Sequence, residues 1–548
     1  MSMANARRTQ RLSTSAVFVC AAAIAAALTM AQEAAAQACA AEISWIRQFG
    51  TAGLDQGWGA ALDEAGNVYV VGYAGGTLPG QARPGPFVRK YDPAGTEVWT
   101  RQFGFGSDWA WDVAVDQVTG NIYVAGYTGT FAGRDAFLRK FDPVGSELWT
   151  LQIGALSEAR GIAVDTTGAV YIAGFVAGAL PGQTSAGSGD AYLRKYDSGG
   201  NELWTRQFGS PGSDRASGVA TDAVGNAYVA GDAGSALPGQ SSAGGVDAFL
   251  RAYDSTGNEV WTRQFGTSAF DGVHGVAVDG LGNILVAGQT MGALPGQASA
   301  GSSDAFVRKH DSSGTEVWTR QFGTPADCPG CNGFDIAEGV TADAAGGVYL
   351  VGSVVGPLPG ETYAGGGDAF VRKYDAAGAV MWTRQFGSDF SEHATDVAVD
   401  ETGKVYASGY TFGTLAGQPS SGGWDAFVVE ITTDLEPPSM SVALSPVTLW
   451  PPDHRLVPVS ASIQVSDNCD SSPIVTLLSV SSNELDNGED DGNTINDVQI
   501  VGPTSFLLRA ERSGTGTGPG RVYTITYVAT DASGNTSAPV SATVTVPR

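Results

Sequence analysis

Cysteine and histidine are nearly absent from this sequence: five of one and four of the other in 548 residues. So few cysteines cannot staple a chain of this length, and its stability has to come from packing. With four histidines, a histidine-based metal or acid–base centre would have to be built from His274 and His393. Basic residues are also short, 30 Lys and Arg against 56 Asp and Glu, for a formal charge of −26. Many of them occupy repeated strand positions, such as Arg89-Lys90 and Arg101. Little positive charge is left to displace counterions, which argues against nucleic acid as a partner. The acidity suits solubility and leaves divalent cations as partners. No Gly-x-Ser-x-Gly, His-Glu-x-x-His or phosphate-loop motif supports an enzyme. Beyond the N-terminal forty residues, no apolar run is long enough to cross a membrane.

The N-terminus itself reads as a secretory signal over residues 1–38. Arg7, Arg8 and Arg11 precede an apolar run from Ala16 to Ala31, and Ala34, Ala36 and Ala38 suit cleavage near Gln37 or Cys39. Ala36-Gln37-Ala38-Cys39 is a poor lipoprotein box, because leucine is missing three residues before the cysteine. A secreted, cell-surface or periplasmic monomer is expected, exported and not membrane-spanning.

What the sequence has in abundance is repetition. Trp-Thr-Arg-Gln-Phe-Gly stands complete at Trp99, Trp204, Trp261, Trp318 and Trp382, and altered at Trp45 and Trp149. A second phrase, Asp-Ala-Phe-Val-Arg-Lys-Tyr-Asp at Asp368 to Asp375, keeps step with it. Self-similarity at such a period means a repeat architecture. Each repeat holds four strand-length runs, A to D; in the fifth they are Gly275 to Asp279, Asn283 to Gly288, Asp304 to His310 and Glu316 to Phe322. The A–B and C–D turns, Asp-x-x-Gly-Asn and Asp-x-x-Gly-x-Glu, put glycine where φ turns positive and aspartate where it bonds the local backbone. Four strands per unit, each unit sandwiched between neighbours, predicts a seven-bladed β-propeller over residues 39–434. The region opens on a lone D strand, Ile43 to Phe49, and closes on an A-B-C set, Asp396 to Ile431. Joined, the two make the seventh blade in a one-plus-three closure.

These phrases, with Gly-Val-Ala-Val-Asp and Gly-Asn-Val-Tyr-Val-Ala-Gly, resemble the bacterial SBBP-type β-propeller repeat, related in pattern to NHL propellers. The resemblance spans about residues 41–433. It implies a propeller of exported bacterial proteins and carries no shared catalytic motif. After the stiff Glu436-Pro437-Pro438 linker, residues 435–548 alternate as the strands of a β-sandwich do, for example Ser460 to Val465 and Val522 to Val528. Asp467-Asn468-Cys469 and Ala529-Thr530-Asp531 make this part similar to bacterial immunoglobulin-like modules of the HYR type. The second cysteine frequent in that type is replaced here by Ser537-Ala538-Pro539, which leaves Cys469 free or paired with Cys39.

In a propeller the D–A and B–C connections share one face, and here they are the long, variable ones, so function is expected there. The residue just before each Gly-Val-Ala-Val phrase varies around the ring: Trp58, Trp111, Arg160, Ser217, His274, Glu338 and Thr395. Placed at the start of strand A around one rim, they read either as a binding site for a polar ligand with stacking faces, such as a glycan, a peptide or an envelope component, or as drift at a channel mouth. The B–C phrase Ala-Leu-Pro-Gly-Gln, as at Ala179 to Gln183, reads as a loop anchor. Cys328-Pro329-Gly330-Cys331 lies in the longest D–A loop. A local disulfide is expected there, since a redox site needs a helix N-terminus and a zinc site needs four ligands. Asn487, Glu489, Asp491 and Asn493, in a loop rich in carboxylates and glycine, form a calcium candidate or a solvated acidic loop. The expected role is therefore a non-catalytic scaffold for binding or surface interaction. The alternatives are a lyase or hydrolase using His274, Glu338 and His393, and a passive spacer.

Overall fold

A computed structural model describes residues 41–129, 133–154, 156–325, 333–432, 434, 436–467, 470, 472–486, 495–513, 520–531 and 535–547. The signal segment, Cys39, Cys328, Cys331, Cys469 and the calcium candidates Asn487, Glu489, Asp491 and Asn493 lie outside the described residues. The chain divides into two compact units, Ala41–Thr433 and Asp434–Arg548.

The first unit is a seven-bladed propeller of antiparallel four-stranded sheets. Six blades are continuous in sequence; in blade 1 the strands are Asp55–Leu62, Val68–Ala74, Gly85–Tyr91 and Glu97–Gln102. Blade 7 takes strands A to C from Glu392–Val399, Val405–Thr411 and Asp425–Thr432, and its D strand is Glu42–Phe49 from the other end of the region. Ile43 faces Ile431 and Phe49 faces Ala426 in that pairing, so the ring closes by backbone hydrogen bonds between the two ends of the unit. Strands B and C carry the core, with Val68, Val70, Val71, Phe87 and Val88 inaccessible to solvent in blade 1. They are apolar on both faces because each sheet is covered by a neighbour on either side.

The structure gives the tryptophan, arginine, glutamine and phenylalanine of Trp-Thr-Arg-Gln-Phe-Gly a task each. The tryptophan ring lies under the C–D turn glycine of the next blade: a methyl group on Gly257 would stand 2.8 Å from Trp204. That glycine has φ +84°, open only to glycine without strain. The arginine Nε of five D strands donates to the carbonyl of the same turn, as Arg206 does to Gly257 (2.6 Å) and Arg263 to Gly314 (2.9 Å); Arg384 is the exception, since blade 7 has no C–D turn. The glutamine clamps the B–C loop: Leu180 N donates to Gln207 Oε1 (2.8 Å), and Gln207 N donates to Gln183 Oε1 (3.1 Å). Leu180, Leu237 and Leu294 of the Ala-Leu-Pro-Gly-Gln phrases are buried, so that phrase is the loop anchor expected of it. The phenylalanine packs edge-on against the strand C phenylalanine of the next blade, Phe208 on Phe249 at 5.5 Å. The motif joins each blade to its successor.

The second unit packs a four-stranded sheet (Ser439–Ser445, Leu456–Ser466, Ser505–Arg509, Val498–Gly502) and a three-stranded one (Ile474–Ser482, Arg521–Thr530, Val540–Val546) around a shared core. Leu444, Leu449, Phe506, Leu508, Tyr523, Ile525 and Tyr527 form it. The strict alternation of burial along Arg521–Thr530 is the period-two pattern read in the sequence.

Candidate ligand site

Strand A begins earlier than its Gly-Val-Ala-Val phrase suggests: in the fifth blade it runs Asp271–Val278. The variable residue therefore sits in mid-strand, and the expectation that it marks the start of strand A is corrected. It is the extra residue of a β-bulge. Pairing with strand B skips Trp58 between Gly57 and Gly59, Arg160 between Ala159 and Gly161, and His274 between Val273 and Gly275. The skip recurs at Trp111, Ser217, Glu338 and Thr395. A bulge breaks the alternation of a strand and re-aims one side chain. Here it happens once per blade, and all seven side chains line one cavity of about 150 Å³.

One side of this mouth is aromatic. Trp58 meets Trp111 edge-on at 4.6 Å and Tyr410 at 5.5 Å. Trp111 stacks on Trp109 at 5.6 Å, and Trp109 stacks on Tyr73 at 4.6 Å. The guanidinium of Arg160 lies 4.7 Å from the Trp111 ring centre. Trp111 thus spends its ring contacts on Trp109 and Arg160, which narrows the stacking role expected of it. The other side is charged. Arg160 donates to Glu158 Oε2 from Nε (2.9 Å), and Arg134 pairs with the second oxygen of Glu158. His274 Nδ1 stands 3.5 Å from Glu338 Oε2. His393 is held elsewhere, stacked on Tyr410 at 4.9 Å, and burial keeps its imidazole below the usual range. The structure brings His274 and Glu338 together and leaves His393 out of the cavity lining.

Directly below the rim the strands converge until backbones touch. A methyl group on Gly59 would stand 2.8 Å from Asp112 Cα, and one on Gly339 would stand 2.8 Å from Asp396 Cα. Two aspartates replace glycine in this tier, and both point along the ring. Asp112 Oδ2 accepts from Ile162 N (2.9 Å), and Asp396 Oδ2 accepts from Ala60 N (2.8 Å). Burial pushes both carboxyls well above the usual range, and for Asp112 the charge of Asp396 adds to it. Sequence reasoning passed over this pair, although Asp112-Val113-Ala114-Val115 and Asp396-Val397-Ala398-Val399 visibly break the glycine rule. It also passed over Trp109, Tyr73 and Tyr410, whose link to the rim is tertiary. A larger hollow of about 520 Å³ on the turn face is lined by Asp63, Glu64, Asp400 and Glu401. Asp63 and Asp400 are repeated turn formers, bonding the backbone of Asn67 and Lys404, so that hollow carries less information.

In the second unit Asp434, Asp467 and Asp531 bring one carboxylate oxygen each within 4.8 Å of one another, an arrangement able to coordinate a metal ion. Asp434 and Asp531 are buried. The oxygen-only donor set is that of a hard cation. The sequence signal was present, since Asp467 and Asp531 stand in the two phrases that carry the immunoglobulin-like resemblance.

Comparison with known proteins reaches part of the chain. Regulatory protein FlaEY of Caulobacter vibrioides is 29% identical over 339 residues, 52% of this chain and 33% of that protein. The chain thus spans about a third of the length of this curated relative. Among solved structures, the Mitotic Checkpoint Complex matches with TM-score 0.39 and 9% identity, covering 72% of this chain and 92% of that one. A fungal alcohol oxidase of the AA5 family in complex with copper matches with TM-score 0.41 and 14% identity, covering 92% and 100%. Neither likeness is close enough to bear on chemistry. The family model described as Beta-propeller repeat (SBBP) matches residues 203–237 and 260–294, so the propeller of this chain contains a recognised SBBP repeat region.

Proposed function

We propose that this protein is an exported, non-catalytic propeller that binds the end of a polar chain, a glycan, a peptide or an envelope component, at the seven-residue channel mouth. One observation carries the reading: the scaffold letters repeat from blade to blade, while the single residue that each bulge turns inward takes six different identities in the seven blades, tryptophan alone occurring twice. Size limits the ligand. Pockets for whole drug-sized ligands run to about 300–1,000 Å³, so a cavity of about 150 Å³ takes one end group. Indole edges, the Arg160 guanidinium, the His274 imidazole and the Glu338 carboxylate offer that group both donors and acceptors. The test is a glycan and envelope-fraction binding screen with the full chain and with the Trp58→Ala/Trp111→Ala double variant. Loss of binding with an intact melt supports the rim; equal binding by both proteins removes it.

The His274–Glu338 pair supports the lyase or hydrolase alternative, because a carboxylate beside an imidazole orients a general base. Turnover of any bound glycan or peptide, lost in His274→Ala, would establish it. For the second unit we propose that Asp434, Asp467 and Asp531 hold calcium. A rise in melting temperature with calcium over EDTA, absent in Asp531→Asn, is the expected result.

A further inference from the structure

Ten acidic residues among those described in the propeller have no accessible surface, backbone included: Asp55, Asp190, Asp214, Asp247, Asp271, Asp304, Asp335, Asp368, Glu392 and Asp425. They fall into five pairs, one at each of five blade interfaces. The first member is the aspartate that opens strand C of one blade; the second opens strand A of the next. Between blades 3 and 4 these are Asp190 and Asp214, and the motif glycine Gly209 lies between them. A methyl group there would stand 2.7 Å from Asp190 Oδ1 and 2.7 Å from Asp214 Oδ2. Gly266 stands in the same relation to Asp247 Oδ1 (2.8 Å) and Asp271 Oδ2 (2.7 Å), and Gly387 to Asp368 Oδ1 (2.5 Å) and Glu392 Oε2 (2.6 Å). Gly50 touches Asp425 and Asp55, and Gly323 touches Asp304 and Asp335, in the same way.

Three oxygens of each pair are well served, the strand A oxygen that faces the partner among them. Asp190 Oδ2 accepts from Ala186 N (2.9 Å) and Gln207 Nε2 (2.5 Å), and Asp214 Oδ2 accepts from Ser210 N (2.6 Å). The inner oxygen of the strand C aspartate is not. Among the described residues, Oδ1 of Asp190, Asp247, Asp368 and Asp425 is buried with no hydrogen-bond partner, while that of Asp304 accepts from Gly301 N (3.0 Å). Neighbouring titratable groups offer little relief: Arg308 acts on Asp271, while Tyr73 faces Asp55 and Tyr363 faces Asp335, Asp368 and Glu392. A buried, unpartnered carboxylate oxygen facing a second buried carboxylate is an arrangement that opposes a full negative charge on both. The N–H donors around them suit anions and repel a cation. The two remaining interfaces act as an internal control. Gly85 takes the strand C place opposite Asp108, and Ser157 takes the strand A place opposite Asp135. Wherever the pair is reduced to one acid, its partner is replaced by a residue that cannot ionise.

We propose that each of the five interfaces binds one proton, shared between the inner oxygen of the strand C aspartate and the facing oxygen of the strand A acid, so that alkaline pH loosens the ring blade by blade. The strand A acids are independently pushed up by burial: Asp55, Asp214, Asp271, Asp335 and Glu392. A folded-state value raised above the unfolded one gives stability that is complete below the unfolded value near 3.8 and is lost as pH rises through the folded one. While a pair keeps its proton and the unfolded chain has lost it, the unfolding constant rises about tenfold per pH unit for that pair.

The experiment is urea unfolding of the full chain from pH 5 to 9, for the wild type, Asp190→Asn, Asp247→Asn, the double variant and Asp135→Asn. An asparagine amide donates where the shared proton stood. Asp190→Asn and Asp247→Asn are each expected to lower the proton slope by about one, the double variant by about two. All three should equal or exceed the wild type at pH 8, and Asp135→Asn should keep the wild-type slope. Three results would overturn the proposal: an unchanged slope in both single variants, an equal loss of stability at pH 5 and pH 8, or a wild-type slope below one proton. The last needs no variant to fold. A calcium-dependent rise in melting temperature that Asp190→Asn abolishes would also overturn it, assigning the site to a cation.

Discussion

Gly209 shows how one residue records its surroundings. It has no positive φ to explain it; its hydrogen faces two buried carboxylates, and a methyl group would meet both at 2.7 Å. Gly209→Ala is expected to cost about 2 kcal/mol or more, through overpacking at a site with no slack. Equal urea midpoints for the two proteins would refute that. His310 is a second case. It occupies the place of Tyr91, Tyr196, Tyr253 and Tyr374, is 3% exposed, and has its Nε2 buried without a partner. Burial, aided by Arg308, pushes its imidazole down to about 4. A base held neutral when folded and charged when unfolded makes stability fall as pH drops from 6.5 toward 4, by about 3 kcal/mol at the bottom of that range. His310→Tyr should remove this acid sensitivity, which unfolding at pH 4.5 and pH 7 will show.

At the scale of elements, the D strands bind blade to blade and one of them binds the ring. Without residues 41–49, strand C of blade 7 presents an open edge, and Trp45, Arg47 and Gln48 lose their hold on blades 1 and 7. The truncated chain should melt at least ~10 °C lower and over a broader range in calorimetry. The arginine staple allows a finer test. Blade 2 carries Leu151 where other D strands carry arginine, so the turn carbonyl at Gly200 lacks the guanidinium bond that Gly257 has. Transferring that state with Arg206→Leu should cost about 1 kcal/mol, the worth of one such hydrogen bond. A loss near zero would show that the tryptophan packing alone joins the blades.

At the scale of the molecule, repetition separates what holds the chain together from what it does. Parts that join blades recur because every interface poses the same packing problem. The bulge residue meets a different problem in each blade: it lines the channel, and its contacts with neighbouring blades, such as Trp58 on Trp111 or His274 beside Glu338, do not repeat. Glu338→Gln should therefore change ligand affinity while leaving the unfolding free energy within about 0.5 kcal/mol of wild type, and a large loss of stability would mark the residue as core. The tier below is different in kind. Asp112 and Asp396 belong to the channel, yet they bond the backbone of the next blade and share its burial. With both carboxyls raised, their contribution to stability is present at acid pH and fades as pH climbs through neutrality. Asp112→Asn should flatten that decline.

The strands, turns, blade count and closing strand were legible in the sequence because each is a local pattern repeated seven times, and repetition averages out the ambiguity of any one copy. The seven variable positions were legible for the same reason, as exceptions to a rule. Their placement was not. The extra residue of a bulge carries no mark in the letters themselves; it shows only in the register between strands A and B, so mid-strand residues looked like strand starts. The carboxyl pairs were hidden in another way. Each member is visible as a recurring acid in its own phrase, but the two phrases belong to different blades and meet only when the ring packs. Asp434, Asp467 and Asp531 likewise converge from three separate stretches of the second unit. The sequence by itself determined which residues build a blade, because blade geometry is set by hydrogen bonds and burial within about fifty neighbouring residues. Only the tertiary structure decided which charges are forced together and which side chains share the channel, because those distances depend on how seven copies close around one axis.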